Sequence, residues 1–259
     1  MPDPDAGVRP PAGPAAAGPA GANRTAELRA SLAAVYERIG AACAAAARPP
    51  AAVRLVAVTK MFPASDVVAL SELGVSDVGE NRDQEAAPKA AACAAQGVSL
   101  TWHFVGQLQA NKAASVVSYA DVVHSVDRPG LVRALSRRAV AAGRAEAGRE
   151  LRCLIQVSLD GQAGRGGAQP GDVPGLADAI AAADGLTLDG VMAVAPLGAP
   201  ARPAFAQLAD IADIIRSAHP AAREISAGMS GDLEEAIAEG ATLVRIGTAL
   251  LGGRRAFVR

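Results

Sequence analysis

The 259-residue sequence predicts an α/β protein, a single (β/α)8 TIM barrel behind an N-terminal tail. Three observations carry that expectation. Eight short β-branched runs alternate strictly with longer amphipathic stretches, which implies a parallel sheet. The runs are almost continuously apolar, which implies burial on both faces. Eight such units in the roughly 235 residues past the tail match a barrel of ordinary size. An open, doubly wound sheet would commonly carry a G-x-G-x-x-G turn after its first strand, where this chain has Lys60-Met61-Phe62-Pro63.

Taken in order, residues 2–22 hold six of the seventeen prolines and only one larger apolar side chain, Val8. Nothing there offsets the entropy of ordering, so a disordered tail over 1–22 and a barrel over 23–259 are expected. Helical spacing begins near Thr25. Leu28, Leu32, Val35, Tyr36 and Ile39 fall on one stripe, and Pro49 and Pro50 end the helix. The first strand is 54–60 (RLVAVTK), with a helix over 65–73 behind a Ser65 cap. Strand 77–80 and helix 82–96 follow, then strand 101–106 (TWHFVG) and helix 111–119, then strand 122–126 and helix 128–147. Strand 152–159 (RCLIQVSL) precedes helix 174–183, and strand 188–194 (LDGVMAV) precedes helix 203–218. Strands 224–227 and 243–247 complete the eight, separated by helix 232–239.

Composition excludes several classes. A net charge of −1 lacks the basic excess of a nucleic-acid binder. No apolar run approaches the ~18 residues of a membrane span, and the N-terminus does not read as a secretory signal. Cys43, Cys93 and Cys153 are odd in number and far apart, and the three histidines are scattered, so neither a disulfide framework nor a metal cluster is expected. The reading is a cytoplasmic globular protein with no metal.

Chemistry in such a barrel sits at the C-terminal ends of the strands. Lys60 ends the first strand, and it is conspicuous because all but three of the 25 basic residues are arginine. The residues leave two readings open: a solvated strand-end lysine, or an amine made nucleophilic by its apolar neighbours Val56, Val58, Met61 and Phe62. Residues 225–231 (ISAGMSG) bring small residues and two hydroxyls to the seventh strand end, and Arg245-Ile246-Gly247-Thr248 brings Gly and Thr to the eighth. Loops behind those two strands are the recurrent phosphate site of this barrel. A lysine facing that cradle across the mouth suits a phosphorylated aldehyde, with pyridoxal 5′-phosphate the leading candidate. His103 and His124 are open between lining the mouth and a structural place in the core.

The motifs VAVTK (56–60), GENRDQEAAPK (79–89), WHFVGQLQANK (102–112), HSVD (124–127), SAGMSGDLEEAIAEG (226–240) and VRIGTALLG (244–252) resemble the YggS/PROSC family of pyridoxal-phosphate homeostasis proteins. The resemblance implies a barrel of the alanine racemase N-terminal-domain type that holds the cofactor as a Schiff base on Lys60. It implies that Ser226, Gly228, Met229, Ser230, Gly247 and Thr248 hold the phosphate, that Arg245 approaches the pyridine nitrogen and that Asn81 lies near the ring. It implies a role in vitamin B6 homeostasis with no strong catalysis and no catalytic residue, and PLP-dependent apoenzymes as recipients. Ala227 stands where many members carry Met, and the loop 161–168 has Arg165 where many carry a lysine.

Two enzymatic alternatives remain. A fold-type-III racemase needs a second base, which alanine racemases take from a tyrosine of a partner's C-terminal β-domain. The chain ends at Arg259 without such a domain, and neither Tyr36 nor Tyr119 falls at a strand end. A monomer and at most a slow side activity, with Lys60 itself as base, are therefore expected. A Schiff-base aldolase would need an acid–base carboxylate, for which Glu80 and Asp160 are the candidates.

Overall fold

The strands close on themselves, leaving no sheet edge. The computed structural model describes residues 19–161 and 166–253. In chain order α1 (Pro19–Ala45) leads into β1 (Arg54–Val58), α2 (Ala64–Glu72), β2 (Asp77–Glu80), α3 (Asp83–Ala94), β3 (Thr101–Phe104), α4 (Ala113–Tyr119) and β4 (Val122–Val126). Then come α5 (Pro129–Ala141), β5 (Leu151–Gln156), α6 (Val173–Ala181), β6 (Leu186–Met192), α7 (Ala201–Ala218), β7 (Glu224–Ser226), α8 (Leu233–Ala238), β8 (Leu243–Ile246) and α9 (Thr248–Leu251). Each strand pairs in parallel with the next, and β8 returns to β1 with Val56 opposite Arg245 and Ala57 opposite Ile246. The (β/α)8 expectation holds.

Burial explains why the strand runs read as continuously apolar. Every position of β2, β4 and β8 is buried. One small apolar cluster, Val56, Val122, Leu154, Met192 and Leu243, shares the barrel interior with buried polar side chains. The outward faces pack against the helices in two larger clusters. Each fully buried Val, Leu or Ile stabilises by about 1.5–3 kcal/mol, so the inner and outer layers together hold the strands in register. Helix α1 lies against α2, α8 and α9, covering the seam where β8 meets β1. Its stripe buries Leu28, Leu32, Val35 and Ile39 as the spacing predicts, whereas Tyr36 is 48% exposed at the rim of that stripe. The three cysteines are buried and unpaired.

Several boundaries move. Of the expected tail, residues 1–18 lie outside the described residues, and α1 starts at Pro19 rather than near Thr25. A proline fits the first helical turn because its missing N–H would have no partner there. Ser65 does not cap α2. Pro63, extended at ψ 163°, holds the cap position and the helix starts at Ala64. Helix α5 stops at Ala141, short of the expected 147, because Gly143 turns left-handed at φ +63° and the Arg144 N–H closes back onto Ala139 O at 3.1 Å. The Arg144 side chain then donates to the carbonyls of Val117, Ala120 and Arg149. No described helix is long and apolar enough to cross a membrane.

Candidate functional site

Lys60 does not end β1; it stands in the turn behind it. The ladder continues one residue past the strand through the Thr59 N–H, which donates to Gly79 O at 2.9 Å. Then Met61 adopts φ +67°, a left-handed conformation that an L side chain enters only when its surroundings impose it. Its N–H donates to Glu85 Oε2 at 3.2 Å. That sharp turn leaves Lys60 exposed, and among the described residues its amine has no hydrogen-bond or carboxylate partner.

Behind this turn the chain buries an ion pair that the residue pattern did not single out. Lys89 Nζ, on α3, donates to Thr59 O at 2.8 Å and to Glu80 Oε1. The Thr59 hydroxyl donates to the same carboxylate oxygen at 2.6 Å. Burial pushes the Glu80 carboxyl up, against the pull of Lys89. Through Oε1, Glu80 thus ties the end of β1 to α3. The signal was present in GENRDQEAAPK, where Glu80 and Lys89 belong to one motif, but only the packing of α3 shows that they pair.

The two phosphate-type segments meet. Ser230 Oγ accepts the Ala249 N–H at 3.2 Å, and the Arg245 N–H donates to Gly228 O at 2.9 Å. Gly228 has φ +87°, and a Cβ there would stand 2.6 Å from the Ala236 Cβ, so only glycine fits. The Met229 N–H donates to Asp232 Oδ1 at 2.6 Å, and its side chain is 39% exposed. A Cβ on Gly247 would stand 3.3 Å from Val58 O, which puts the 247–248 segment against the end of β1. Lys60 is therefore a neighbour of this cradle and does not face it across the mouth, because closure of the barrel sets β8 beside β1. Thr248 is exposed and opens α9. Asn81 is half-buried one residue past β2, whose Gly79 pairs with Val58 of β1.

Arg245 and Ser226 lie deeper than the cradle. Arg245 Nη1 donates to Ser226 Oγ at 2.6 Å and Nη2 to Ala193 O at 2.8 Å. Burial pulls its pKa down to about 10, and among the described residues it forms no salt bridge. The Ser226 hydroxyl also meets His124 Nδ1 at 2.9 Å, so it faces the barrel interior and not the 228–230 loop. Both His103 and His124 are core residues, 1% and 0% exposed. Ala227, the departure from the family pattern, is buried with its N–H donated to Leu243 O, while Arg165 lies outside the described residues.

A cavity of about 510 Å³ opens at the opposite end of the barrel, lined by Ser76, Thr101, Asp121, Arg144, Arg152 and Thr187. It sits beneath the N-terminal ends of the strands, the end that barrels of this kind use for stability and not for chemistry.

The alanine racemase N-terminal domain family matches residues 30–255 of this chain. The chain belongs to that family. Within it, the pyridoxal phosphate homeostasis protein of Mycobacterium tuberculosis is 44% identical over 245 residues, covering 90% of this chain and 95% of the relative. The structure of PipY from Synechococcus elongatus with PLP bound superposes with a TM-score of 0.74 at 34% identity, covering 87% of this chain and all of that one. The alanine racemase of Corynebacterium glutamicum shares the family fold at 14% identity and a TM-score of 0.65, and this chain spans 63% of its length. The family resemblance read from the six motifs is thereby shown.

Proposed function

We propose that this chain binds pyridoxal 5′-phosphate reversibly through Lys60 and serves in intracellular homeostasis of that cofactor, holding it without strong catalysis of its own. The observation that carries the reading is the unpaired Lys60 amine beside a glycine- and hydroxyl-bearing cradle, with, below it, a buried cation that forms no salt bridge among the described residues. Those donors fit the group. When bound, pyridoxal phosphate supplies an aldehyde that an amine can attack, together with a phosphate dianion and a pyridine nitrogen. Lys60 would hold the aldehyde end. Backbone N–H groups and hydroxyls of Gly228, Met229, Ser230, Gly247 and Thr248 would take the phosphate. Arg245 would address the ring nitrogen and Asn81 the ring. A guanidinium only donates, so Arg245 would keep that nitrogen unprotonated and the ring a weak electron sink.

The homeostasis role rests on the names of the relatives. The modest catalysis is supported by where the two tyrosines lie. Tyr36, on α1, is pushed up by burial and by Asp77 at the other end of the barrel. Tyr119 is partly buried with its hydroxyl shielded from solvent, and it is raised by burial and by Asp83 and Glu80. Tyr36 sits on α1 and the Tyr119 hydroxyl is closed off from solvent, so neither is offered to a ligand as a second base. The same reading expects a cytoplasmic monomer with PLP-dependent apoenzymes as recipients.

The test is an absorption spectrum of the purified protein before and after borohydride, with mass mapping of the modified residue. A visible band that reduction abolishes and that maps to Lys60 is the expected result. A colourless protein that also fails to take up added pyridoxal phosphate would overturn the assignment.

A further inference from the structure

Five buried polar side chains cross the barrel interior in a row. Arg245 Nη1 reaches Ser226 Oγ at 2.6 Å, and Ser226 Oγ lies 2.9 Å from His124 Nδ1. His124 Nε2 lies 2.7 Å from His103 Nδ1, and His103 Nε2 lies 2.9 Å from Asp77 Oδ1. The imidazoles meet edge-on, at 65° between planes, which lets a ring N–H of one point at a ring nitrogen of the other. All five residues are 5% exposed or less. The cofactor reading uses Arg245 and leaves the far end of the row without a role.

The ends of the row dictate where each proton sits. A guanidinium has no acceptor, so Ser226 Oγ must accept from Arg245. Burial would raise the Asp77 carboxyl, but hydrogen bonds from His103 and Ser76 outweigh it and hold Asp77 below the usual range, so it is the acceptor at the other end. His103 therefore donates from Nε2 and accepts at Nδ1. Burial lowers His103, against the upward pull of Asp77, and lowers His124 well below its ordinary value, so neither ring carries a second proton. His124 then donates from Nε2 and accepts at Nδ1, and the only proton left for that acceptor is the Ser226 hydroxyl. The row runs one way, from Ser226 to Asp77.

We propose that Asp77, His103 and His124 are positioning residues for Arg245: by committing the Ser226 proton inward, they lock a lone pair of Ser226 toward the guanidinium and fix its orientation below the mouth. A free serine hydroxyl rotates to suit its neighbours, and without this lock Arg245 would keep only Ala193 O as a firm acceptor. The same commitment removes the Ser226 hydroxyl as a phosphate donor. The proposal rests on the reading of Arg245 as the partner of the cofactor ring.

Two experiments on the full chain test it. In unliganded protein labelled with nitrogen-15 at histidine, NMR should show both buried rings as Nε2–H tautomers whose protons exchange slowly. An Nδ1–H tautomer at His124 would overturn the directionality. Second, Ser226→Ala and His124→Gln should each still trap pyridoxal phosphate on Lys60 with borohydride. Their affinity by equilibrium dialysis should fall about tenfold, as expected for losing a charge-assisted contact, and the pH midpoint of the visible band should shift. In an Arg245→Gln background His124→Gln should add nothing; a full additional loss there overturns positioning through Arg245. The near-isosteric Asp77→Asn, checked by thermal melting, serves if His124→Gln does not fold, and it should show a loss in the same direction. Unchanged affinity and band in all the row variants overturns the proposal alone, whereas absence of trapping in the wild-type protein overturns the cofactor reading beneath it.

Discussion

At the N-terminal end of the strands, Arg54 meets Glu224 at 2.6 Å and Asp77 at 3.8 Å, Arg152 faces Asp189 at 3.8 Å, and Arg144 faces Asp121 at 3.6 Å. At the C-terminal end, Lys60 and Arg245 have no carboxylate within salt-bridge distance among the described residues, and Arg245 feels Asp232 only at longer range. The same strands build both ends, so the difference lies in what each end does with its charges. A cation with a carboxylate beside it has its electrostatics satisfied and contributes to the fold. A cation without one leaves a favourable interaction to be made by something else, and an anionic or acceptor-bearing ligand is the natural partner. The His103–His124 row joins the two regimes, since it ends on a paired carboxylate at one side and an unpaired guanidinium at the other.

The sharpest challenge to this division is Lys89, which lies near the mouth but is paired with Glu80, both buried. It should therefore behave like the far end. Lys89→Ala leaves the Glu80 charge buried alone and should destabilise by about 3–5 kcal/mol, while folded protein still traps the cofactor on Lys60. Replacing both partners, Glu80→Leu with Lys89→Met, should recover most of that loss in a denaturant titration. If Lys89→Ala abolished trapping in protein that remained folded, the division by pairing would fail.

Arg144→Ala comes next. It removes a buried guanidinium that donates to three backbone carbonyls. A loss of about 3 kcal/mol, read as a fall of roughly 6–12 °C in the melting midpoint, is expected with cofactor affinity unchanged. A weakened affinity in the folded variant would show that the two ends are coupled through more than the histidine row.

The row also predicts acid lability. His103 and His124 are held below their ordinary value in the folded state, whereas in the unfolded chain they titrate near about 6.5. The unfolded state then binds more protons as the pH drops below that value. The stability these neutral rings contribute is complete above about 6.5 and is lost on acidification, with a slope of up to about 2.7 kcal/mol per pH unit for two protons. His103→Gln should reduce that slope by one proton in pH-dependent unfolding curves; an unaltered slope would contradict the neutral row.

The smallest effect is expected at the cradle. Thr248→Val removes one exposed hydroxyl and should weaken pyridoxal phosphate by about fivefold, with an unchanged melting midpoint. A lower midpoint without a change in affinity would move Thr248 from the binding side of the comparison to the structural side.

The sequence by itself determined the eight strands, their alternation with helices, the closed parallel barrel and the family, and it singled out Lys60 and the two loops that meet beside it. These were legible because hydrophobic period, glycine and hydroxyl clusters and family motifs are local along the chain. Tertiary structure decided the rest. Lys60 and the cradle are neighbours because closure sets β8 on β1, a pairing of residues at opposite ends of the barrel sequence. Ser226 turns inward because His124, 102 residues earlier, supplies an acceptor in the barrel interior. Glu80 ties β1 to α3 because α3 swings Lys89 back onto it. In each case a side chain's role depends on which distant group shares its low-dielectric surroundings. No window of sequence contains both partners of the Ser226–His124 contact, and in GENRDQEAAPK, which does contain Glu80 and Lys89, only folding brings the charges together.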